Sequence, residues 1–235
     1  MKSRLITLFA ILIVTGTQLL FAQTSQKREV SAFTEISLRI GANVHLKQGP
    51  TQSVEVRGKE TTLEKLIIEV SDRKLVIRYP NDAWFRRWNP GPVDIFVTIP
   101  QIDGLSVSGS GNIVSDGIIE SRILDLMISG SGDIKLAELK GEKVAATISG
   151  SGNIHLSGTK NAEELKATIS GSGNIRASDF AADNVNVKIS GSGNCWVNSV
   201  KNLVVRLAGS GNVFYRGNPS VDSSIAGSGK VKEEK

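Results

Sequence analysis

Two groups of side chains in this sequence have types and spacing suited to chemistry, and both suit recognition better than catalysis. The stretch DAWFRRWNPGP at 82–92 sets Trp84, Phe85 and Trp88 beside Arg86 and Arg87. Indole rings suit stacking on sugar faces, and guanidinium groups suit carboxylates or aromatic rings. The stretch breaks strand alternation and is bounded by Pro80, Pro90 and Pro92, so it reads as a loop. A loop that folds its aromatics over an open end of the molecule is the competing reading. The second group is Trp196 and Phe214, which occupy equivalent positions of neighbouring repeats and are expected to form an outward-facing pair.

Reactive constellations are scarce. The two histidines, His45 and His155, lie far apart in sequence. The many GSG triplets are turn tripeptides, with no G-x-S-x-G nucleophile setting around them. No cluster has zinc-ligand spacing, and the calcium-binding G-G-x-G-x-D pattern is missing. No metal or cofactor is therefore expected. Lys135 and Arg176 share a column, with Asp116, Glu138 and Asp179 on nearby turns. Polysaccharide-cleaving solenoids use such charges, but a solvated surface is the simpler reading here, and no catalytic residue is assigned. Cys195 is the only cysteine, so no intrachain disulfide can form. It takes a place that other repeats fill with Ile or Val, and is expected to be a small buried hydrophobe.

The elements that must position these residues follow from an internal repeat. ISGSGNI occurs at 148–154 and 169–175, with close variants at 107–113, 128–134, 189–195, 207–213 and 225–231. The opening glycines are Gly109, Gly130, Gly150, Gly171, Gly191, Gly209 and Gly227, at steps of 18 to 21 residues. That is a solenoid period. The flanks LDLMIS, VAATIS and VNVKIS alternate in the strand manner and exclude helical repeats. Aligned repeats give apolar columns at spacing two. One is Ile113, Ile134, Ile154, Ile175, Cys195, Val213 and Val231; another is Val107, Ile128, Ile148, Ile169, Ile189, Leu207 and Ile225. The column Val114, Lys135, His155, Arg176, Trp196 and Phe214 should face solvent, and Tyr215 should point inward.

The expected fold is all-β: a right-handed parallel β-helix of about 20-residue coils stacked at about 4.8 Å. The GSGN turn is its corner, where glycine permits positive φ and close coil approach. Asn112, Asp133, Asn153, Asn174, Asn194 and Asn212 fall in register there and can form a side-chain ladder or bond locally to their own turn.

The chain before the repeats divides in two. Residues 1–22 read as a signal peptide: Lys2 and Arg4, the apolar run Leu5–Val14, then a cleavage region ending at Ala22. Its removal lowers the formal net charge from +5 by the two charges of Lys2 and Arg4. So mild a charge gives no case for nucleic acid. No later run is apolar enough to span a membrane as a helix. Residues 29–235 are expected to form a single domain. Within it 29–100 would be irregular opening strands or a cap, with a helical turn at 61–66, and 101–235 the regular repeats.

The seven in-register copies of the ISGSGNI type, after a signal segment and a strand-rich opening, resemble the head GIN domain family of auto-transporter-type adhesins, common in Bacteroidetes-type bacteria. The resemblance covers roughly residues 30–220. It implies a β-helical protein outside the cytoplasm, in the periplasm, on the outer-membrane surface or secreted, and carries no functional residues over. No C-terminal run suits a membrane β-barrel, so self-transport is not expected. The combined expectation is a non-enzymatic, adhesin-like protein binding a surface glycan or an envelope protein. A self-assembling structural protein, and hence a homo-oligomer, is the alternative, with a carbohydrate-active enzyme third.

Overall fold

The computed structural model describes residues 24–80 and 90–234. The expected signal peptide and the loop residues Trp84, Phe85, Arg86, Arg87 and Trp88 lie outside the described residues. The described chain is a parallel β-solenoid of about 6 turns.

The marked repeats build its regular part. β8 (Gly104–Gly109) ends at the first opening glycine, and β9 (Asn112–Gly130) begins after two intervening residues. The same break separates β9 from β10 (Asp133–Gly150), and β10 from β11 (Asn153–Ser157). β12 (Ala162–Gly171), β13 (Asn174–Gly191), β14 (Asn194–Gly209), β15 (Asn212–Arg216), β16 (Ser220–Gly227) and β17 (Lys230–Glu233) continue the pattern. Each coil pairs in parallel with the one a repeat away, and like residues stand opposite: Ile134 on Ile154, Ile148 on Ile169, Gly150 on Gly171.

Stacking explains the glycines. All seven opening glycines have φ between 126° and 138°, a region that L side chains avoid. In the first six the carbonyl is used twice: the Gly109 oxygen, for one, accepts from the amides of Ser131 and Gly132, both at 2.9 Å. The second glycine of each triplet answers a different demand. A Cβ on Gly152 would stand 2.1 Å from the Gly132 carbonyl oxygen of the coil beneath.

Inside, the expected columns form the core. Ile113, Ile134, Ile154, Ile175, Cys195 and Val213 are fully buried, as are Ile128, Ile148 and their equivalents as far as Leu207. Burial fades at the last coil, where Val231 is only partly covered and Ile225 is 42% exposed. Tyr215 points inward and packs partly buried against this core.

The opening region is more regular than its sequence suggests. β2 (Glu35–Leu38) stacks in register on β8, and β3 (Asn43–Gln48) on β9. β6 (Lys74–Arg78) and β7 (Asp94–Ile99) stack on the other edges of β2 and β3. The first coil in sequence is therefore sandwiched between the second and the third. Antiparallel strands close this end. β4 (Ser53–Gly58) covers β7, β5 (Ile67–Ser71) covers β6, and β1 (Thr24–Lys27) covers β4. The expected helical turn is α1 (Glu60–Leu63), which buries Thr62 and Leu63. The region is thus both opening coils, in full register, and an antiparallel cap.

Candidate functional site

Strand periodicity places alternate residues after each GSG corner on one outer surface. Register then stacks them. Phe96 of β7 stands over His45 of β3, and His45 stands over Val114 of β9. Lys135, His155, Arg176, Trp196, Phe214 and Lys232 follow, one per coil. A single row therefore runs the length of the solenoid. The sequence placed Val114 to Phe214 in it; His45 and Phe96 were missed. The signal was there: Asn43-Val44-His45-Leu46 repeats the pattern Asn153-Ile154-His155-Leu156, but without the GSG mark before it.

The row has two aromatic centres. Trp196 and Phe214 stack with ring centroids 5.2 Å apart and planes 15° from parallel. The Arg176 guanidinium carbon lies 5.1 Å from the Trp196 ring centroid, on the coil opposite to Phe214. Both faces of the indole are therefore taken by neighbours in the row, and Trp196 turns its edge to solvent. The expected outward-facing pair is present, and in it the indole forms a platform beside Arg176. At the capped end His45 and Phe96 stack at 4.7 Å, and Arg57 of β4 lies 4.3 Å over the Phe96 ring. His45 Nε2 lies 3.2 Å from Asp94 Oδ1.

Between these centres the row is cationic. Lys135 and Arg176 are exposed and flank the half-buried His155. Among the described residues neither has an ion-pair partner. The nearby carboxylates are engaged otherwise. Asp133 Oδ1 accepts from Asn153 at 2.9 Å (backbone N–H) and 2.8 Å (side-chain amide). Glu138 accepts from the Thr159 hydroxyl at 2.7 Å, and Asp179 faces Arg216 at 3.5 Å. Burial first, and then the Arg176 charge, push the His155 imidazole below its ordinary 6.5; Lys135 adds to this and Asp133 opposes it. A shallow depression of about 410 Å³ opens here, lined by His155, Ser157, Arg176, Ser178, Asp179 and Trp196.

The ladder at the corner supports this row from behind. Asn112 Nδ2 donates to Asn43 Oδ1 at 3.0 Å, and the Asp133 amide to Asn112 Oδ1 at 3.2 Å. Asn174 Nδ2 donates to Asn153 Oδ1 at 3.0 Å, Asn194 Nδ2 to Asn174 Oδ1 at 3.3 Å, and Asn212 Nδ2 to Asn194 Oδ1 at 2.9 Å. Each rung fixes the strand start two residues before a row member, so the row inherits the coil spacing. Of the two ladder readings, coil-to-coil bonding is the one adopted, and it reaches Asn43, which the sequence reading did not include.

Cys195 is fully buried, and burial pushes its thiol up to about 12. It belongs to the core column. Among the described residues no group of three or more His, Cys, Asp or Glu is arranged to hold a metal ion, and no helix is long and apolar enough to cross a membrane.

A solenoid that presents one continuous row of side chains, with a shallow depression beside it, has the form of the repeat scaffolds that offer extended surfaces. More particularly, the chain belongs to the family described as "Putative auto-transporter adhesin, head GIN domain", whose model matches residues 32–219. Among solved structures it is similar to a "putative adhesin" from Bacteroides fragilis, with TM-score 0.82 and 22% identity over 91% of this chain and 97% of that one. A "putative lipid binding protein" from Parabacteroides distasonis matches with TM-score 0.76 and 23% identity, over 91% and 97% of the two chains. A "putative adhesin" from Parabacteroides merdae matches with TM-score 0.72 and 25% identity, over 91% and 96%. No curated protein matches the chain.

Proposed function

We propose that this protein is a non-enzymatic, exported adhesin-like module that holds a glycan against the outer row of its solenoid. The observation that carries the reading is the continuity of that row: nine side chains in register from Phe96 to Lys232, with two free cations and a half-buried imidazole at its centre. Family membership and the adhesin descriptions of its structural neighbours favour a role at the cell surface. The export-type N-terminus agrees with it. A stacked, hydrogen-bonded framework suits binding because its side chains need little reordering when a ligand arrives.

The reading is tested on a glycan array, with the wild-type protein beside Trp196→Ala. Binding to a defined glycan subset, weakened when the Arg176 platform is removed, is the expected result. Array-wide silence from a folded wild-type protein would sink it.

Self-association is the second reading, favoured by the last coil. Every residue of β16 is exposed, including the apolar Val221 and Ile225, and antiparallel pairing of β17 with a second copy would set Lys230 opposite Glu233. Light scattering that shows a concentration-independent monomer would remove this alternative.

A further inference from the structure

The glycan-binding reading leaves open which chemistry the row selects, and the geometry restricts it. Neutral sugars are gripped chiefly by open aromatic faces, and here both faces of Trp196 are occupied by Arg176 and Phe214. What points outward at the centre of the row is charge. Lys135 and Arg176 stand two coils apart, about 10 Å at ordinary strand spacing, with His155 between them. Neither cation has a carboxylate partner, whereas neighbouring Arg216 is held by both Asp179 at 3.5 Å and Glu234 at 2.9 Å. The two cations share one face with an imidazole whose protonated form they disfavour, and an anion placed between them is attracted by both. Guanidinium offers paired N–H donors to a carboxylate or sulfate, and that of Arg176 lies over the indole, its central carbon 5.1 Å from the ring centroid. Beside it, the hydroxyls of Ser157 and Ser178 and the carboxylate of Asp179 line the same depression and can take up sugar hydroxyls.

Resting on the glycan reading above, we infer that the Lys135–His155–Arg176 stretch is a binding site for an acidic polysaccharide, one anionic substituent lying across His155 between the two cations. The aromatic pair is its wall and not its stacking surface. The polymer runs along the solenoid axis, because that is the direction in which the cations repeat.

The test uses the whole protein and four probes in titration calorimetry: dextran, dextran sulfate, polygalacturonate, and double-stranded DNA as a non-glycan polyanion. The double variant Lys135→Gln/Arg176→Gln is compared with Lys166→Gln/Lys188→Gln, which makes the same charge change at exposed positions on another face. Binding of polygalacturonate or dextran sulfate well above dextran is expected, the two separating a carboxylate from a sulfate preference. Each lost charge-assisted contact should weaken it roughly tenfold, with the control double variant unchanged. Dextran bound as tightly as its sulfate, or an anion affinity indifferent to Lys135 and Arg176, would overturn the inference and leave glycan binding standing. DNA bound as tightly as the acidic glycans would reduce the site to bare charge attraction and overturn it too. Failure of every polysaccharide, joined to a silent array, would remove the glycan reading itself.

Discussion

Gly152→Ala is the substitution from which most can be calculated. The new methyl would sit 2.1 Å from the Gly132 carbonyl oxygen and 2.7 Å from Ile128 Cγ2. Unbonded carbon and oxygen atoms meet at about 3.3 Å, so the two coils must part by roughly 1 Å at this corner. The bonds that would stretch are the Gly152 amide to the Gly130 oxygen, now 3.1 Å, and the Asn153 amide to the Gly132 oxygen, now 3.3 Å. Neither survives such a displacement as a useful hydrogen bond. Two lost bonds at about 1 kcal/mol each, with loosened packing around Ile128, put the cost at about 2–4 kcal/mol. Two other glycines separate the causes. Gly109→Ala meets nothing within 4 Å but sits at φ +126°, which should cost about 1–3 kcal/mol in backbone strain alone. Gly117→Ala meets nothing within 4 Å and has no such backbone, so it should stay within about 0.5 kcal/mol of wild type. Urea denaturation followed by far-ultraviolet circular dichroism gives the three values. If Gly152→Ala were as harmless as Gly117→Ala, the coil-contact account of the GSG triplet would be refuted.

Other predictions concern the core, the thiol, the ladder and pH. Ile154 is fully buried in a stacked column, so Ile154→Ala should lose about 2–5 kcal/mol and Ile154→Asp should not fold; a normal melting curve for the Asp variant would contradict the column assignment. Cys195, buried and with its thiol pushed up to about 12, should resist a thiol reagent at pH 8 until denaturant is added; prompt labelling of native protein would count against its place in the core. Asp133→Asn keeps an acceptor for Asn153 and should be nearly neutral, whereas Asp133→Leu strands the Asn153 side-chain amide, leaves its backbone N–H only the Gly132 oxygen, and should cost about 1–2 kcal/mol; equal midpoints for the two variants would remove the ladder from the stability argument. His155 is held below its ordinary 6.5 in the folded protein. The unfolded chain therefore takes up its proton first, and the stability that neutral His155 contributes is complete above about pH 6.5 and lost as pH falls through its folded-state value. His155→Gln should flatten the urea midpoint between about pH 7 and 5; an unchanged slope would remove this role.

Much of this architecture was legible because repetition averages out local ambiguity. One ISGSGNI would be a turn of uncertain purpose, but seven in register force like residues to stack, and the apolar and outward columns follow from spacing two. Tyr215 and Cys195 were placed by the same alternation. The opening coils were harder. GANVHL is a single degenerate copy whose glycine mark has been lost, so His45 and Phe96 could not be seen to share a row with His155. Nor does any local pattern reveal that the first coil lies between the second and the third, since coil order is decided by long-range packing of β2 and β3 against two partners. The ladder's reach to Asn43 was hidden for the same reason. At the site, spacing placed Trp196 over Phe214, but only side-chain rotamers show that both indole faces are occupied, which is why the proposed site is built on Lys135, His155 and Arg176 and not on the rings.

The central claim, that ligand lies along the outer row, is most directly tested by hydroxyl-radical footprinting of the protein with and without polygalacturonate. Protection of His155, Trp196 and Phe214, with Met127 (55% exposed on another face) still reacting at its free rate, is the predicted result. Protection of Met127 with the row left reactive would place the binding surface elsewhere and contradict the account.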